Sequence, residues 1–236
     1  MSLRVAAAFA VAVATGSATD EALPRVLILG DSIYAQPAGE VSKALAGRVE
    51  VVCPRVQPGE VRTTTAVLEN LEDLLGEVQW DLIHFNLGLG DLIYRAPGME
   101  SFRVFPKGAG GVRATGPERY EANLRKLVKR LQATGARLVW ASTTPIRHSA
   151  SDVFEKGSEI EYNAIAARVM KEHGVPTNDM YHYVLELIDM DKPASHGADP
   201  FFFDRKPLHP PVEEAILKHL PAGTGSPEVR ECTQDR

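Results

Sequence analysis

One stretch of the chain, Arg25–Tyr34 with the sequence RVLILGDSIY, decides the fold. It begins with a run of apolar residues without polar alternation, which is typical of a strand buried on both faces of a parallel sheet. Gly30 permits a sharp turn at the carboxyl end of this strand, the edge at which open α/β sheets place their sites. The stretch therefore predicts a buried first strand that presents Asp31 and Ser32 at a sheet edge. A helix should follow, with N–H groups that can face an anion beside Ser32.

Two interpretations of this turn are open at the level of the sequence. In the first, Ser32 is a nucleophile that is exposed at the end of a strand and activated by a base elsewhere in the chain. In the second, Asp31 and Ser32 only cap the helix that follows, as such pairs often do. The remaining motifs have to decide between them.

Strand patterns and helical patterns alternate along the rest of the chain. Strands are predicted at 49–54, 80–87 and 136–145, with a short fifth strand or a turn near 178–179. Helices are predicted at 38–46, 63–75, 117–134, 158–173, 180–188 and 212–220, and residues 94–116 form a surface excursion rich in Gly and Pro. Because no linker or repeat interrupts this alternation, the sequence predicts one domain with a parallel sheet between two helical layers.

The two ends of the chain differ in composition from the middle. Arg4, an apolar stretch at 5–14 and small residues at 15–18 predict a signal peptide at 1–18, cleaved after Ala18, and a secreted or periplasmic protein. Its apolar run is too short to span a bilayer, and no later segment is apolar enough to do so. The predicted hydrolase-like domain is then 19–220, followed by a polar tail at 221–236.

Charge and metal-ligand patterns exclude some classes of function. A net charge of −5 over 236 residues gives no electrostatic reason to expect a nucleic-acid partner. Export permits a disulfide between Cys53 and Cys232, and two free thiols are the alternative. No cysteine and histidine spacing matches a zinc site. The remaining conceivable metal ligands match no helix or strand face, so no metal is expected; they are His196, Asp199, Asp204 and His209.

A serine nucleophile requires a base, and the chain has 7 histidines. His84 lies inside a buried strand pattern and is expected to be a satisfied core residue. His182 follows Asp179 at a predicted helix start, where the aspartate is more simply a cap. His196 and His209 lie in the irregular region near the C-terminus, and only His209 immediately precedes the last helix. His196 and His209 therefore remain as candidates for the base.

Several motifs together resemble the SGNH or GDSL-type hydrolases. They are the Gly30–Asp31–Ser32 turn, the glycine-rich exit of the third strand, and an aspartate and a histidine before the last helix. Further stretches resemble an exported bacterial branch of that family; they are FNLGLGD at 85–91, WASTTP at 140–145, YNA at 162–164 and VPTND at 175–179. The resemblance spans residues 25–220. It implies a three-layer α/β/α fold with a parallel, flavodoxin-like sheet of about five strands.

The resemblance also implies serine esterase chemistry. Ser32 would be the nucleophile, His209 the base, and Asp204 the acid that orients the imidazole. The backbone N–H groups of Ser32 and Gly59 would hold the oxyanion, and no cofactor is needed.

The oxyanion block departs from the family pattern. The family has Gly-x-Asn-Asp, whereas this chain has Gly88–Leu89–Gly90–Asp91, so Gly90 stands at the asparagine position. Asn86 lies four residues before Gly90 and would need a different backbone path to replace the missing donor.

The acid is displaced as well. The family spacing is Asp-x-x-His, but Lys206 stands three residues before His209, and Asp204 stands five residues before it. Asp179 and His182 keep the family spacing, although they come too early in the chain, and they are the reserve pair.

The sequence thus predicts a serine esterase for short-chain acyl esters, with acetyl groups on carbohydrates as the expected substrates. Its partner would be a small-molecule or glycan ester. The competing hypothesis is a glycan-binding protein on the same fold that has impaired catalysis.

Overall fold

Five parallel strands form the central sheet, in the order β2-β1-β3-β6-β7. The computed structural model describes residues 22–31, 34, 37–57, 60–99, 103–148, 152–192, 201, 203 and 206–221. In chain order the strands are β1 (Arg25–Leu29), β2 (Glu50–Val52), β3 (Leu82–Phe85), β4 (Tyr94–Arg95), β5 (Val112–Arg113), β6 (Arg137–Ala141) and β7 (Thr177–Asn178). The predicted fold class is confirmed.

Helices connect the strands and cover both faces of the sheet. In chain order they are α1 (Ala38–Ala44), α2 (Thr64–Glu69), α3 (Leu71–Leu75), α4 (Leu89–Leu92), α5 (Pro117–Gln132), α6 (Ser158–Glu172), α7 (Met180–Leu187) and α8 (Pro210–His219). Each crossover joins parallel strands, which requires a connection long enough to return along the sheet.

The alternation of β1 explains why the sheet lies between two apolar layers. Val26 and Ile28 belong to one core, and Leu27 and Leu29 belong to the other. All four side chains are fully buried. An apolar run with no polar face thus forms a strand that is covered on both sides, as the sequence predicts.

The two cores take their helices from different parts of the chain. One core receives Val67 of α2, Leu71 of α3, Leu124 of α5 and Tyr162 of α6. Helices α1, α7 and α8 build the other core, against the opposite face of the sheet.

The order of the strands places a crevice at the carboxyl end of β1. This strand pairs with β2 on one side and with β3 on the other, so the chain changes its winding direction there. In open α/β sheets, ligands bind in the crevice at such a switch point. The fold therefore places the residues that follow β1 and β3 at the expected site.

Local details differ from the sequence prediction in several places. The helix predicted at 63–75 is divided at Asn70, whose backbone N–H and side-chain amide both donate to the Ala66 carbonyl. The excursion predicted at 94–116 contains an antiparallel pair, β4 with β5. The last helix begins at Pro210, because proline lacks only an N–H that the first turn leaves unpaired.

Several predictions concern residues outside the described part of the chain. The signal peptide, the polar tail beyond Pro221 and Cys232 all lie there. Cys53 is half-buried. The two alternatives for it, a disulfide with Cys232 or a free thiol, both stay open. None of the helices in the described ranges combines the length and the apolar character that crossing a membrane requires.

Candidate active site

A small cavity of about 10 Å³ lies at the carboxyl edge of the sheet. Asp31 after β1, Asn86 after β3 and Ser142 after β6 line it, together with Leu208 from the segment before α8. Ser32 follows Asp31 in the sequence and His209 follows Leu208, so the fold brings the two predicted catalytic segments to one place. Ser32, Gly59 and Asp204 themselves lie outside the described residues.

Asp31 closes the turn after β1. Its side chain is 6% exposed, and Oδ1 accepts a hydrogen bond of 2.9 Å from the Tyr34 N–H. This bond between residues three apart is the pattern of a capping aspartate. The capping interpretation stays a hypothesis, because the first described helix after this turn, α1, has Pro37 as its N-cap and no side-chain cap bond.

Gly30 is required by close packing. A Cβ atom added at Gly30 would lie 2.4 Å from Cδ1 of Tyr34, which is much closer than van der Waals contact. The sequence analysis explains Gly30 by the sharp turn that glycine permits. However, Gly30 is not among the described glycines that have a positive φ, so its backbone conformation does not require a glycine. The ring of Tyr34 therefore occupies the space that a side chain at Gly30 would need.

His84 is held in a buried polar network, as the sequence predicts for a core histidine. The Tyr34 hydroxyl is hydrogen-bonded to Nδ1, and Asn178 donates from Nδ2 to Nε2 at 3.1 Å. Burial lowers the pKa of His84 to about 3, and His219 adds a smaller effect in the same direction. The ring of His84 is therefore neutral, and both of its nitrogens are hydrogen-bonded. It links β3 to β7 and cannot act as a base.

Asn86 connects β3 to β6 beside the cavity. Its side chain is 2% exposed, and Nδ2 donates to the Ala141 carbonyl at 2.8 Å and to Thr143 Oγ1 at 3.2 Å. An amide has two N–H groups, so both have a protein acceptor. To donate to a substrate oxygen, Asn86 would have to release the longer bond to Thr143.

Two glycines of the block after β3 are required by contacts with neighbouring segments. A Cβ at Gly88 would lie 2.2 Å from Thr143 Oγ1, and one at Gly90 would lie 2.3 Å from the Arg62 carbonyl oxygen. The contact at Gly90 is with backbone, which cannot rotate away. An asparagine at Gly90 would therefore displace the Arg62 backbone.

Asp91 anchors the start of α2. Both carboxylate oxygens accept from the Thr64 N–H at 3.0 Å, and Oδ1 accepts from the Thr64 hydroxyl at 2.7 Å. Burial raises the pKa of Asp91 to about 6, although hydrogen bonds from Thr115 and Thr64 lower it. The sequence marks Asp91 only as part of a glycine-rich block, and the contact with Thr64 shows its structural role.

His209 lies at the N-terminus of α8. It is half-buried, and its carbonyl accepts from the N–H groups of Val212 and Glu213 at 3.0 and 2.9 Å. Lys206, three residues before His209, is exposed. Its charge is therefore solvated, which weakens its effect on an imidazolium at His209.

The reserve pair lies beside β7, which is three strands away from β1 in the sheet. Asp179 accepts from the His182 N–H at 3.1 Å and is bonded to Nδ1 of the same residue at 2.7 Å. Although burial raises the pKa of Asp179, hydrogen bonds from His182 keep it below its usual value. With about 4.8 Å between strands, this pair lies roughly 14 Å along the sheet from β1. In contrast, Leu208, the neighbour of His209 in the sequence, lines the cavity together with Asp31.

A larger cavity of about 190 Å³ adjoins the first. Asp31 and Leu89 line both cavities, and Glu60 and Arg62 add polar groups to the larger one. In the described part of the chain no group of three or more His, Cys, Asp or Glu side chains could hold a metal ion. The alternative metal ligands His196, Asp199 and Asp204 lie outside that part.

Comparison with solved structures assigns the fold. A lipase/acylhydrolase from Enterococcus faecalis aligns with a TM-score of 0.63 at 14% identity, covering 84% of this chain and 98% of the other. An acetylxylan esterase from Geobacillus stearothermophilus aligns with a TM-score of 0.55 at 15% identity, covering 83% and 93%. A GDSL-like lipase from Bacteroides thetaiotaomicron aligns with a TM-score of 0.56 at 14% identity, covering 82% and 88%. The sequence matches no protein-family model and no curated protein. The predicted resemblance to GDSL-type hydrolases is thus confirmed at the level of the fold.

Proposed function

We propose that this protein is a serine ester hydrolase that removes short acyl groups, acetyl first among them, from esters that include acylated carbohydrates. One observation carries the proposal. The cavity at the sheet edge is lined by Asp31, which precedes Ser32, and by Leu208, which precedes His209. The fold shared with esterases and acylhydrolases supports the same chemistry.

The proposed reaction proceeds through an acyl-enzyme. His209 accepts the proton of the Ser32 hydroxyl while Oγ attacks the ester carbonyl carbon, and the carbonyl π electrons move to the oxygen. The C–O bond to the alcohol then breaks, and the alcohol leaves with the proton from the imidazolium. Water, deprotonated by His209, releases the acyl group as a carboxylic acid and restores Ser32. Asp204 holds the imidazole in the correct tautomer.

The oxyanion would be held by backbone N–H groups at Ser32 and Gly59. The loss of one such donor typically lowers the rate by about a hundred- to a thousandfold. Because Gly90 has no side chain to donate, the proposed enzyme works with fewer donors than the family pattern provides, unless Asn86 releases Thr143. A slow enzyme is the expected result.

Two observations support a short acyl group as the substrate. The adjoining cavity is bounded largely by apolar side chains, among them Val61, Ile93 and Phe154, and it offers room for an acyl group next to Asp31. Two neighbours of the same fold are acetyl xylan esterases, and the enzyme from Geobacillus stearothermophilus has a catalytic mutant in which a serine is replaced by alanine. The signal-peptide pattern at 1–18 supports export, where polymeric glycans are accessible.

A second candidate is a glycan-binding protein that has lost turnover. Two observations favour the binding protein. The Asn86 amide is already hydrogen-bonded to Ala141 and Thr143, and the Arg62 backbone leaves no room for a side chain at Gly90, so neither position offers a free oxyanion donor. Such a protein would bind the same sugars and leave their esters intact.

The test is the hydrolysis of p-nitrophenyl acetate by the wild type and by Ser32→Ala, followed by acetate release from acetylated xylan. Turnover that falls by about a thousandfold or more in the variant is the expected result. Equal rates in the two proteins contradict the proposed mechanism. If equal rates occur together with measurable binding of xylan, the binding protein is the better description.

A further inference from the structure

Arg62 is a buried arginine in the loop between β2 and α2, and 3% of its surface is exposed. Its guanidinium group makes four hydrogen bonds. Nη1 donates to the Gly30 carbonyl at 2.9 Å, and Nε donates to the Glu60 carboxylate at 2.8 Å. Nη2 donates to the carbonyls of Pro54 and Arg55 at 3.1 and 3.0 Å.

These partners belong to the two segments that carry the proposed machinery. Gly30 ends the first strand and is followed by Asp31 and Ser32. Residues 54–55 and Glu60 lie on either side of Gly59 in the sequence. One side chain thus joins the turn of the proposed nucleophile to the loop of the proposed oxyanion donor.

The backbone of Arg62 is fixed from a third segment. Gly90 lies so close that an added Cβ would be 2.3 Å from the Arg62 carbonyl oxygen. The next residue, Thr63, accepts from the Ala66 N–H and caps α2, and Thr64 is bonded to Asp91. The backbone of Arg62 therefore has little freedom to move. The hydrogen bond from its guanidinium group fixes the position of the Gly30 carbonyl relative to that backbone.

Arginine is the amino-acid type whose side chain can make this set of hydrogen bonds. A guanidinium is planar and presents up to five donors in a fixed arrangement, so it can hold several carbonyls at once. A lysine in the same place is a compact point charge on a flexible stem, which cannot reproduce the directions of Nη1 and Nη2.

We propose that Arg62 is a positioning residue for ester hydrolysis, which holds the turn after β1 against the loop after β2. The inference rests on the proposed function. All four hydrogen bonds of its guanidinium group go to protein acceptors, and Arg62 acts through the Gly30 carbonyl. A misplacement of about 1 Å between reacting groups costs on the order of a hundredfold in rate, so the expected effect falls on kcat.

The experiment compares Arg62→Lys and Arg62→Ala with the wild type on p-nitrophenyl acetate. For Arg62→Lys we expect a kcat lower by roughly ten- to a hundredfold, with KM within about twofold and an unchanged pH profile. For Arg62→Ala, millimolar guanidinium should restore part of kcat, whereas equal methylammonium should not. Arg25→Lys is the matched control. Arg25 lies at the start of β1, at the opposite end of that strand from Gly30, and it pairs with Glu50 on the surface. It should leave kcat unchanged.

The outcomes separate this inference from the proposed function. If the wild type hydrolyses the ester and Arg62→Lys has the same kcat, the positioning role is wrong and the esterase stands. An equal loss in Arg62→Lys and Arg25→Lys, or a loss that follows the unfolding midpoint without guanidinium rescue, also overturns the positioning role. If the wild type shows no turnover above Ser32→Ala, the proposed function is wrong, and the role of Arg62 in it is wrong as well.

Discussion

Two parts of the same sheet edge carry similar residue types in different arrangements. At the ends of β6 and β7, Ser142, Asp179 and His182 form a hydrogen-bonded group, but Ser142 donates to Asp179 at 3.2 Å and its oxygen accepts from the Tyr181 N–H. At the ends of β1 and β3, Asp31 and Asn86 line a cavity beside the segment that leads to His209, and Ser142 reaches the same cavity from the end of β6. A serine is activated only if it faces the imidazole. The presence of a serine, an aspartate and a histidine is therefore not enough to define a candidate site. What matters is which of these side chains are hydrogen-bonded to each other.

The histidines give the largest expected contrast between the two parts. His209→Gln should lower kcat on p-nitrophenyl acetate by about a thousandfold, because the Ser32 hydroxyl then has no base. His182→Gln should change kcat by less than about twofold, since its ring is bonded to the cap of α7 and lies far from β1. Kinetics with both variants check this, and a large loss in His182→Gln alone would assign the base to the reserve pair.

The carboxylates give a smaller contrast, and it depends on pH. The pKa of Asp91 is raised from 3.8 to about 6, whereas the pKa of Asp179 is lowered. Because the folded protein binds the proton of Asp91 more tightly than the unfolded chain does, the stability from Asp91 is full below about pH 4. It is lost as the pH rises through about 6. This difference between the pKa of Asp91 in the folded and the unfolded chain corresponds to roughly 3 kcal/mol of unfolding free energy.

Asp91→Asn isolates this contribution, because the amide keeps an oxygen that can accept from the Thr64 N–H. The free energy of unfolding of the wild type minus that of the variant should fall by about 2 kcal/mol between pH 4 and pH 7. Urea titrations across this range measure it, and other carboxylates cancel in the difference. A difference that stays constant with pH would show that Asp91 ionises normally.

The smallest expected effect concerns the cap at Asp179. Its side chain accepts from the His182 N–H, so Asp179→Ala should lower the free energy of unfolding by about 1 kcal/mol. Asp179→Asn keeps an acceptor and should cost less. Neither variant should change kcat by more than about twofold, and a larger change would connect β7 to the proposed reaction.

The fold could be predicted because its signals are local. The apolar run of β1 and the amphipathic pattern of α5 can each be recognised within a short stretch of sequence. The division at Asn70 could not be predicted, since it depends on how one side chain competes for the Ala66 carbonyl. The β4–β5 pair is likewise short and poor in apolar pattern, so it gives no periodic signal.

The candidate site could be predicted only in part. The turn at Asp31 and the place of His209 before α8 follow from sequence motifs, and the roles of Ser32, Gly59 and Asp204 stay predictions. The bonds of Arg62 to Gly30 and of Thr64 to Asp91 join residues 32 and 27 positions apart. No propensity or spacing identifies such pairs, because they arise from the packing of segments that the sequence shows separately.

The contact between Gly90 and the Arg62 backbone makes these two positions epistatic. A side chain at Gly90 becomes acceptable only after the loop at 60–63 has moved, and that loop is held by Gly30 and Asp91. An asparagine introduced at Gly90 alone would therefore lower the stability of the protein. Directed evolution of the proposed esterase activity has to remodel the loop first, and single-site libraries at position 90 should contain no improved variant.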